Sequence, residues 1–127
     1  MNEIIVTNLF DLDIEVNNKE EHDKYEYYKK SVVPKNDINQ CCVSIYSVPP
    51  GKAAYPYHYH LLNEEVFYIF GGYGKLITPV GERLVSQGDL LFFPAGENGA
   101  HMLLNASETE MLIYLDFDTN NPIDVAF

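Results

Sequence analysis

Beyond residue 40, short apolar-rich runs alternate with turns that contain Gly, Pro or Asn. Runs of this length and spacing are typical of an all-β domain. We predict seven strands, at Cys41–Val48, Tyr55–His60, Glu65–Phe70, Lys75–Val80, Leu90–Phe93, His101–Leu104 and Glu110–Asp116. Because the connections leave little room for crossover helices, the sheet should be mainly antiparallel and close on itself as a jelly roll.

The first forty residues follow a different pattern. Leu12, Ile14 and Val16 alternate with acidic residues, which predicts a short half-buried strand. The segment from Asn17 to Lys30 is charged and rich in tyrosine, and its periodicity is compatible with either a loop or a short helix. We therefore predict an N-terminal arm over residues 1–40 that packs on a barrel domain over residues 41–127.

Length and charge limit the partners of this chain. A chain of 127 residues is long enough for one domain with one core. The net charge of −11 disfavours nucleic acid and anionic membrane surfaces as partners. No apolar run is long enough to span a bilayer, and the opening residues lack the features of a secretory signal. The adjacent Cys41 and Cys42 make no disulfide framework, so we expect a cytoplasmic protein.

Three of the four histidines lie in two short clusters that predict a metal site. His58 and His60 are two residues apart, which places both imidazoles on one face of a strand. Glu65 opens the next predicted strand, and His101 begins a later one. Burying three imidazoles and a carboxylate without a compensating ion is costly. We therefore predict a single divalent metal ion bound by His58, His60, Glu65 and His101.

The donor types narrow the choice of metal. A mixed nitrogen and oxygen set suits a divalent transition metal such as Fe, Mn, Ni or Zn and is too rich in nitrogen for Ca or Mg. The residues do not distinguish among those transition metals. Glu64 is an alternative to Glu65, because both faces of the strand that follows are apolar and the alternation does not decide which glutamate faces inward.

With these residues in view, the sequence resembles the cupin superfamily. The first cupin motif, G-x5-H-x-H-x3/4-E-x6-G, is matched with one additional residue after the first glycine by Gly51, His58, His60, Glu65 and Gly72. The second motif, G-x5-P-x-G-x2-H-x3-N, is matched with two additional residues before the histidine by Gly88, Pro94, Gly96, His101 and Asn105. The spacing within the first motif favours Glu65 over Glu64 as the carboxylate.

The resemblance implies a double-stranded β-helix with a divalent metal, often assembled as a homodimer. The wording of the motifs is similar to small single-domain bacterial cupins that are uncharacterised or loosely called sugar-phosphate-isomerase-like. The fold hosts many reactions, so the resemblance implies no single one. We expect a metalloenzyme that acts on a small polar organic substrate by dioxygenase-type or isomerase-type chemistry. The alternative is a non-catalytic module that binds or senses a sugar or carboxylate, and no catalytic residue is assigned.

The basic residues near the motifs bear on whether the substrate carries a phosphate. A phosphate-bearing substrate requires Arg or Lys near the metal. Around the two motifs the sequence supplies only Lys52, Lys75 and Arg83. We therefore expect little support for a phosphorylated substrate, and a lysine facing the open side of the metal would reverse that expectation.

Overall fold

The computed structural model describes residues 3–18 and 23–127, and in those ranges the chain forms nine strands. They are β1 (Glu15–Asn17), β2 (Tyr27–Val33), β3 (Cys41–Val48), β4 (Glu65–Gly71), β5 (Tyr73–Thr78), β6 (Gly81–Ser86), β7 (Leu90–Phe93), β8 (Met102–Asn105) and β9 (Leu112–Thr119). Short 3-10 turns lie at Leu9–Asp11 and Glu97–Gly99. Within the same ranges, no helix has the length and apolar character needed to cross a membrane.

The strands form two antiparallel sheets around one core. One sheet has the order β1-β2-β3-β9-β4-β7, and the other has the order β6-β5-β8. Apolar side chains from both sheets meet in a single buried cluster that includes Tyr46, Ile69, Leu76, Leu103 and Leu112. This arrangement confirms the predicted all-β fold, a double-stranded β-helix of the jelly-roll type.

Most strand positions follow the sequence pattern. The predicted strands at Cys41–Val48 and Leu90–Phe93 are confirmed residue for residue. The strand predicted at Tyr55–His60 is wrong, since only isolated bridges occur there, at His58 and His60. The strand β6 was not predicted, because four of its six residues are exposed and give no apolar alternation. The early strand is shorter than predicted and more exposed, since only Glu15–Asn17 pairs with β2.

The segment predicted as an N-terminal arm extends the larger sheet. The strand β2 covers the end of the Asn17–Lys30 segment, where we had predicted a loop or a short helix, and residues 19–22 of that segment lie outside the described part of the chain. It pairs with β3 from Tyr28 to Val33, with a register shift after Ser31. Two residues of β2 therefore reach the interior face of the sheet beside Tyr46 and Ser44. The division of the chain at residue 40 stays a prediction.

Turns in the barrel depend on glycine where the backbone turns sharply. The backbone adopts positive φ angles at Gly51, Gly72, Gly88 and Gly96. At Gly72, with φ +89°, a Cβ atom would also lie against the backbone carbonyl of Met111. Only glycine combines that conformation with that close approach.

Candidate metal centre

Glu65 lies on the interior face of the larger sheet, at the first position of β4. Its side chain is buried with 5% exposure, whereas Glu64 is exposed. In the sheet register Glu65 lies opposite Asp118, and the next interior pair is Phe67 with Asp116. Directly opposite residues share a face of the sheet, so three carboxyl groups converge on the same interior surface.

The histidines reach that surface from two segments joined by a short backbone bridge. The backbone N–H of His58 donates to the carbonyl of His101 at 3.1 Å, and the N–H of His101 donates to the carbonyl of His58 at 2.9 Å. Their ring centroids are 4.9 Å apart, and the rings of His58 and His60 are 5.3 Å apart. The His101 ring also stacks on Phe93 with a centroid distance of 3.7 Å. This bridge brings the histidines together in place of the strand that we predicted.

Each of the three imidazoles has its Nδ1 atom engaged in a hydrogen bond. His58 Nδ1 lies 2.7 Å from the carbonyl of Pro56, and His101 Nδ1 lies 2.8 Å from the carbonyl of Gly99. His60 Nδ1 lies 2.8 Å from Oδ2 of Asp124. Since a carbonyl or carboxylate only accepts, each Nδ1 carries the proton and each neutral ring presents Nε2 as a lone pair. Such partners orient metal-binding histidines in known metalloproteins.

The possible ligand atoms fall into two overlapping groups. Atoms of His58, Glu65 and His101 lie within 4.8 Å of one another, and so do atoms of His60, Glu65 and Asp118. Glu65 belongs to both groups. The structure thus brings the four residues predicted as ligands around one interior surface and adds Asp118, which the sequence analysis did not select.

The contact between Glu65 and His101 requires a cation or a proton between the two side chains. Glu65 Oε1 lies 2.8 Å from His101 Nε2, and both atoms are buried. Because His101 Nδ1 already carries the ring proton, Nε2 and a carboxylate oxygen are both acceptors and make no hydrogen bond with each other. Within the described residues, Asp116 Oδ1 and Asp118 Oδ1 are also buried without a hydrogen-bond partner. A divalent ion with nitrogen and oxygen ligands fits this set of donors.

Burial lowers the pKa values of two histidines of the site and raises those of two carboxyl groups. Burial lowers the pKa of His101 to about 4, and burial also lowers the pKa of His58. Burial raises the pKa of Glu65 well above its ordinary value, and burial together with the charge of Glu65 does the same for Asp116. The two histidines are therefore neutral at physiological pH, which is the form that binds metal, and the carboxyl groups need a nearby cation to ionise.

A cavity of about 510 Å³ opens beside these residues. Its walls include the hydroxyl groups of Tyr46 and Tyr55, whose oxygen atoms are 2.8 Å apart. Cys42 also lines the cavity, with its sulfur 3.7 Å from Oδ2 of Asp118. Two side chains from the last segment of the sequence close one side, those of Ala126 and Phe127. The volume suits a small organic molecule.

Three acidic residues of the site were missed in the sequence. The run Asp116-Phe117-Asp118 continues the alternation of the last strand, in which Leu112 and Tyr114 are buried. The predicted strand ended at Asp116, and extending it by two residues would have placed both carboxyl groups inside. Asp124 carried no comparable signal, because its contact with His60 joins residues that are 64 positions apart.

The basic residues around the two motifs lie away from the cavity. None of the three lines it, namely Lys52, Lys75 and Arg83. Lys75 instead pairs with Glu82 at 3.0 Å, and Arg83 lines a separate cavity. The two cationic side chains that do line the metal cavity are Lys29 and Lys35, which come from the segment predicted as the arm.

Comparison with known proteins identifies the family. The family described as "Cupin domain" matches residues 44–117, and this chain belongs to that family. The match spans Glu65, Asp116, the three histidines and both glycine-containing motifs, and it ends one residue before Asp118. No curated protein matches the sequence.

Solved structures share the fold at low sequence identity. A provisionally named sugar phosphate isomerase from Acidithiobacillus ferrooxidans has a TM-score of 0.81 and 24% identity, covering 94% of this chain and 75% of that chain. A sugar phosphate isomerase of the cupin superfamily from Silicibacter pomeroyi has a TM-score of 0.76 and 21% identity, covering 94% and 78%. The polyketide cyclase RemF from Streptomyces resistomycificus has a TM-score of 0.74 and 17% identity, covering 96% and 84%. At these identities the comparison supports the fold alone.

Proposed function

We propose that this protein binds one divalent transition-metal ion through His58, His60, Glu65 and His101 and acts on a small polar organic molecule in the adjoining cavity. The contact between Glu65 Oε1 and His101 Nε2 is the observation that carries the proposal. Two buried acceptors 2.8 Å apart are unfavourable until a cation or a proton lies between them, and a divalent cation also suits the other donors around them. The proposal covers Fe, Mn, Ni and Zn.

The residues of the site have separable roles in this proposal. The three Nε2 atoms supply neutral donors, and Glu65 supplies one negative charge. Asp124 and the carbonyl groups of Pro56 and Gly99 hold the rings in the tautomer that binds metal. When bound, a divalent ion supplies Lewis acidity that polarises a substrate oxygen. Asp118 faces the same surface and is positioned either to join the ligand set or to accept a hydrogen bond from a substrate hydroxyl.

We infer isomerase-type or dioxygenase-type chemistry as the first candidate activity. The names of two structural neighbours, one a provisionally named sugar phosphate isomerase and the other a sugar phosphate isomerase of the cupin superfamily, support the isomerase-type candidate. Proton transfer in an isomerase needs a group that gains and loses a proton near neutral pH. Asp116 lines the cavity, is not one of the proposed ligands and has a raised pKa, so its carboxyl group is the candidate for that role.

A non-catalytic module that binds a sugar or a carboxylate is the second candidate. The other polar groups of the cavity favour it, because they stay protonated at neutral pH. Burial raises the pKa of the Cys42 thiol to about 11, and burial raises the pKa values of Tyr46 and Tyr55 above the usual range. Such groups donate hydrogen bonds to a ligand but are poor nucleophiles.

The two candidate functions are distinguished by whether the protein converts a small molecule or only binds it. Protein loaded with Fe(II) or Zn(II) is mixed with a panel of small sugars and organic acids in deuterium oxide. Dioxygen consumption, or exchange of a carbon-bound proton seen by NMR, supports an enzyme. A compound that raises the unfolding temperature and is recovered unchanged supports the binding module. If no compound of either class binds or reacts, the cavity is not a small-molecule site and the proposal fails.

We also propose a homodimer formed through the outer face of the larger sheet. Neighbouring strands β7, β4, β9 and β3 align two outward apolar rows, one formed by Phe92, Val66, Phe117 and Val43 and the other by Leu90, Tyr68, Leu115 and Ile45. Phe92 is 59% exposed and Leu90 is 73% exposed. An apolar face of this extent needs cover, and a second copy of the chain offers the same surface.

A cytoplasmic location is part of the proposal. Cys41 and Cys42 are both free, and neighbouring residues of a strand point to opposite faces. A reducing compartment is compatible with two partly exposed free thiols. Cell fractionation, with one marker protein for a reducing compartment and one for an oxidising compartment, tests this location.

A further inference from the structure

Two lysines line the cavity beside the proposed metal site. Lys29 belongs to β2 and Lys35 to the turn that follows, and both line the cavity that contains His58, His60 and Glu65. They are notable in a chain of net charge −11 with only eight basic residues. Within the described part of the chain, neither of the two is in a salt bridge.

The sheet register fixes where Lys29 lies relative to the metal-binding residues. Lys29 pairs with Tyr46, and Tyr46 pairs with Tyr114, so Lys29 shares the interior face of the sheet. The same face carries Glu65 on β4, three strands away from β2. The register continues from Tyr114 to Ile69, four residues from Glu65 on β4. In a flat sheet the separation is therefore roughly 14 Å across the strands and roughly 13 Å along them, or roughly 19 Å in all. A lysine side chain spans part of this distance, which leaves room for a small molecule between the ammonium group and the metal site.

Contacts of the two lysines keep their charges at the cavity. The Nζ atom of Lys29 lies 5.6 Å from the centre of the Tyr46 ring, which is itself a wall of the cavity. Lys35 lies at the exposed rim, where its charge acts on the thiol of Cys42. Both ammonium groups are therefore available to a ligand that enters from this side.

The charge balance of the cavity favours an anionic ligand when metal is present. The cavity wall carries three carboxyl groups, those of Glu65, Asp116 and Asp118, against the two lysines. A divalent ion adds two positive charges, after which the positive charges outnumber the negative ones. An anion is then drawn to the lysine side of the cavity, away from the carboxyl groups.

We propose that Lys29 and Lys35 form a subsite for an acidic group, either a carboxylate or a phosphate, on a hydroxylated substrate whose other end meets the metal. This inference rests on the proposed function, because it assumes the metal at the other end of the cavity. It identifies the substrate class as a hydroxy acid or a polyol phosphate. The interior hydroxyl and carboxyl groups of Tyr46, Tyr55 and Asp118 suit the hydroxyl groups of such a molecule.

Three probes with a common carbon skeleton test the subsite, namely glycerol, glycerate and glycerol 1-phosphate. Binding of each is measured by calorimetry on protein loaded with Co(II), whose metal content is determined on the same samples. We expect at least one of the two anions to bind about tenfold or more tightly than glycerol. The tighter of the two anions identifies the acidic group as carboxylate or phosphate.

The lysines are tested by replacing both, as Lys29→Met and Lys35→Met in one protein, with Lys24→Met as the matched control at an exposed lysine outside the cavity. We expect the double variant to weaken anion binding by about tenfold or more, with metal content and glycerol binding unchanged. The control should bind like the parent. Anion binding that is equal in the double variant and the parent overturns the subsite.

Metal content separates failure of this inference from failure of the proposed function. If the parent binds no metal, the metal proposal fails, and inorganic phosphate then serves as the probe on the same protein. Phosphate binding that is lost in the lysine double variant sustains the subsite without the metal. Phosphate binding that is unchanged in the double variant overturns the subsite as well.

Discussion

Oδ2 of Asp124 lies 2.8 Å from Nδ1 of His60 and links the last segment of the sequence to the metal centre. Oδ1 of the same carboxylate accepts hydrogen bonds from the backbone N–H groups of Leu62, at 2.7 Å, and Asn63, at 3.0 Å. Burial alone would raise the pKa of Asp124, but these two backbone hydrogen bonds and the contact with His60 lower it. Asp124 is therefore ionised at neutral pH and fixes the proton of His60 on Nδ1.

Replacing Asp124 with Asn should weaken metal binding without disturbing the backbone. In Asp124→Asn the amide oxygen can still accept from Leu62 and Asn63, but an NH2 group then faces His60 Nδ1. This favours the tautomer with the proton on Nε2, which cannot bind metal. We expect the metal affinity, measured by competition with a chelator, to fall by about 10- to 100-fold. The exposed Asp37→Asn is the matched control, and an affinity equal to that of the control would contradict this role of Asp124.

Replacing Glu65 with Gln should separate metal binding from folding. The substitution removes a buried carboxyl group that costs free energy when no cation is present. We expect the metal-free Glu65→Gln protein to unfold at the same temperature as the parent or higher. Zn(II) at 100 times the dissociation constant should stabilise the parent by about 2.7 kcal/mol. That gain should be absent in Glu65→Gln.

The neighbouring glutamate supplies the control for this experiment. Glu64 is exposed. Its described hydrogen bonds join its backbone N–H and carbonyl groups to Thr119, so its side chain takes part in none of them. Glu64→Gln should therefore keep the full metal-dependent stabilisation measured by thermal unfolding. If Glu64→Gln lost it and Glu65→Gln retained it, the assignment of the carboxylate would be reversed.

Metal binding should release a proton from a carboxyl group and not from His101. The pKa of Glu65 is raised, so below that raised value a proton must leave before the carboxylate binds metal. The pKa of His101 is lowered to about 4, so above pH 5 this ring is already neutral and releases none. We therefore expect metal affinity to decrease as the pH falls through the raised pKa of Glu65, by about tenfold per pH unit.

Calorimetry in buffers with different heats of protonation measures this proton release directly. Between pH 5 and pH 7 the parent should release protons on binding Zn(II), and His101→Gln should leave the release unchanged while lowering the affinity. A release that disappears in His101→Gln would show that the imidazole, and not the carboxyl group, carries the proton.

Two acidic substitutions on the outer face of the larger sheet should separate the proposed dimer. Phe92→Glu and Leu90→Glu place charges at the most exposed end of the two apolar rows, on β7, where burial of an unpaired charge in the interface is unfavourable. Light scattering should give twice the mass of the chain for the parent and the mass of one chain for the double variant. Ile38→Glu, at an exposed apolar residue in the connection between β2 and β3, is the control. A parent that remains monomeric at high concentration would rule the dimer out.

The apolar alternation was sufficient to predict most of the barrel. Strands such as β3 and β7 are recovered because their alternate residues enter the core, and burial is what a hydrophobic pattern records. The strand β6 lies at a sheet edge with mostly exposed residues, so it left no such pattern. The histidine segment carried apolar residues but adopts only isolated bridges, because its hydrogen bonds go to His101 and Phe127.

The candidate ligands were predictable because their spacing is local, whereas the surrounding groups are not. His58, His60 and Glu65 lie within eight consecutive positions, so the local pattern predicted them together although the strand assumed at Tyr55–His60 does not form. Lys29, Asp118 and Asp124 reach the cavity through strand pairing and long-range contacts. The apolar alternation did not decide which of two adjacent glutamates faces inward. In the register of β4 with β9 the inward residue is Glu65, which the motif spacing favoured.

Metal content is the most direct test of the account. The purified untagged parent and a double variant with His58→Ala and His101→Ala are analysed by elemental mass spectrometry, with circular dichroism to verify that both are folded. We predict one equivalent of Fe, Mn, Ni or Zn in the parent, either as isolated or after addition of the metal, and none in the variant. A folded parent that contains no transition metal and takes up none when it is added would contradict the metal centre.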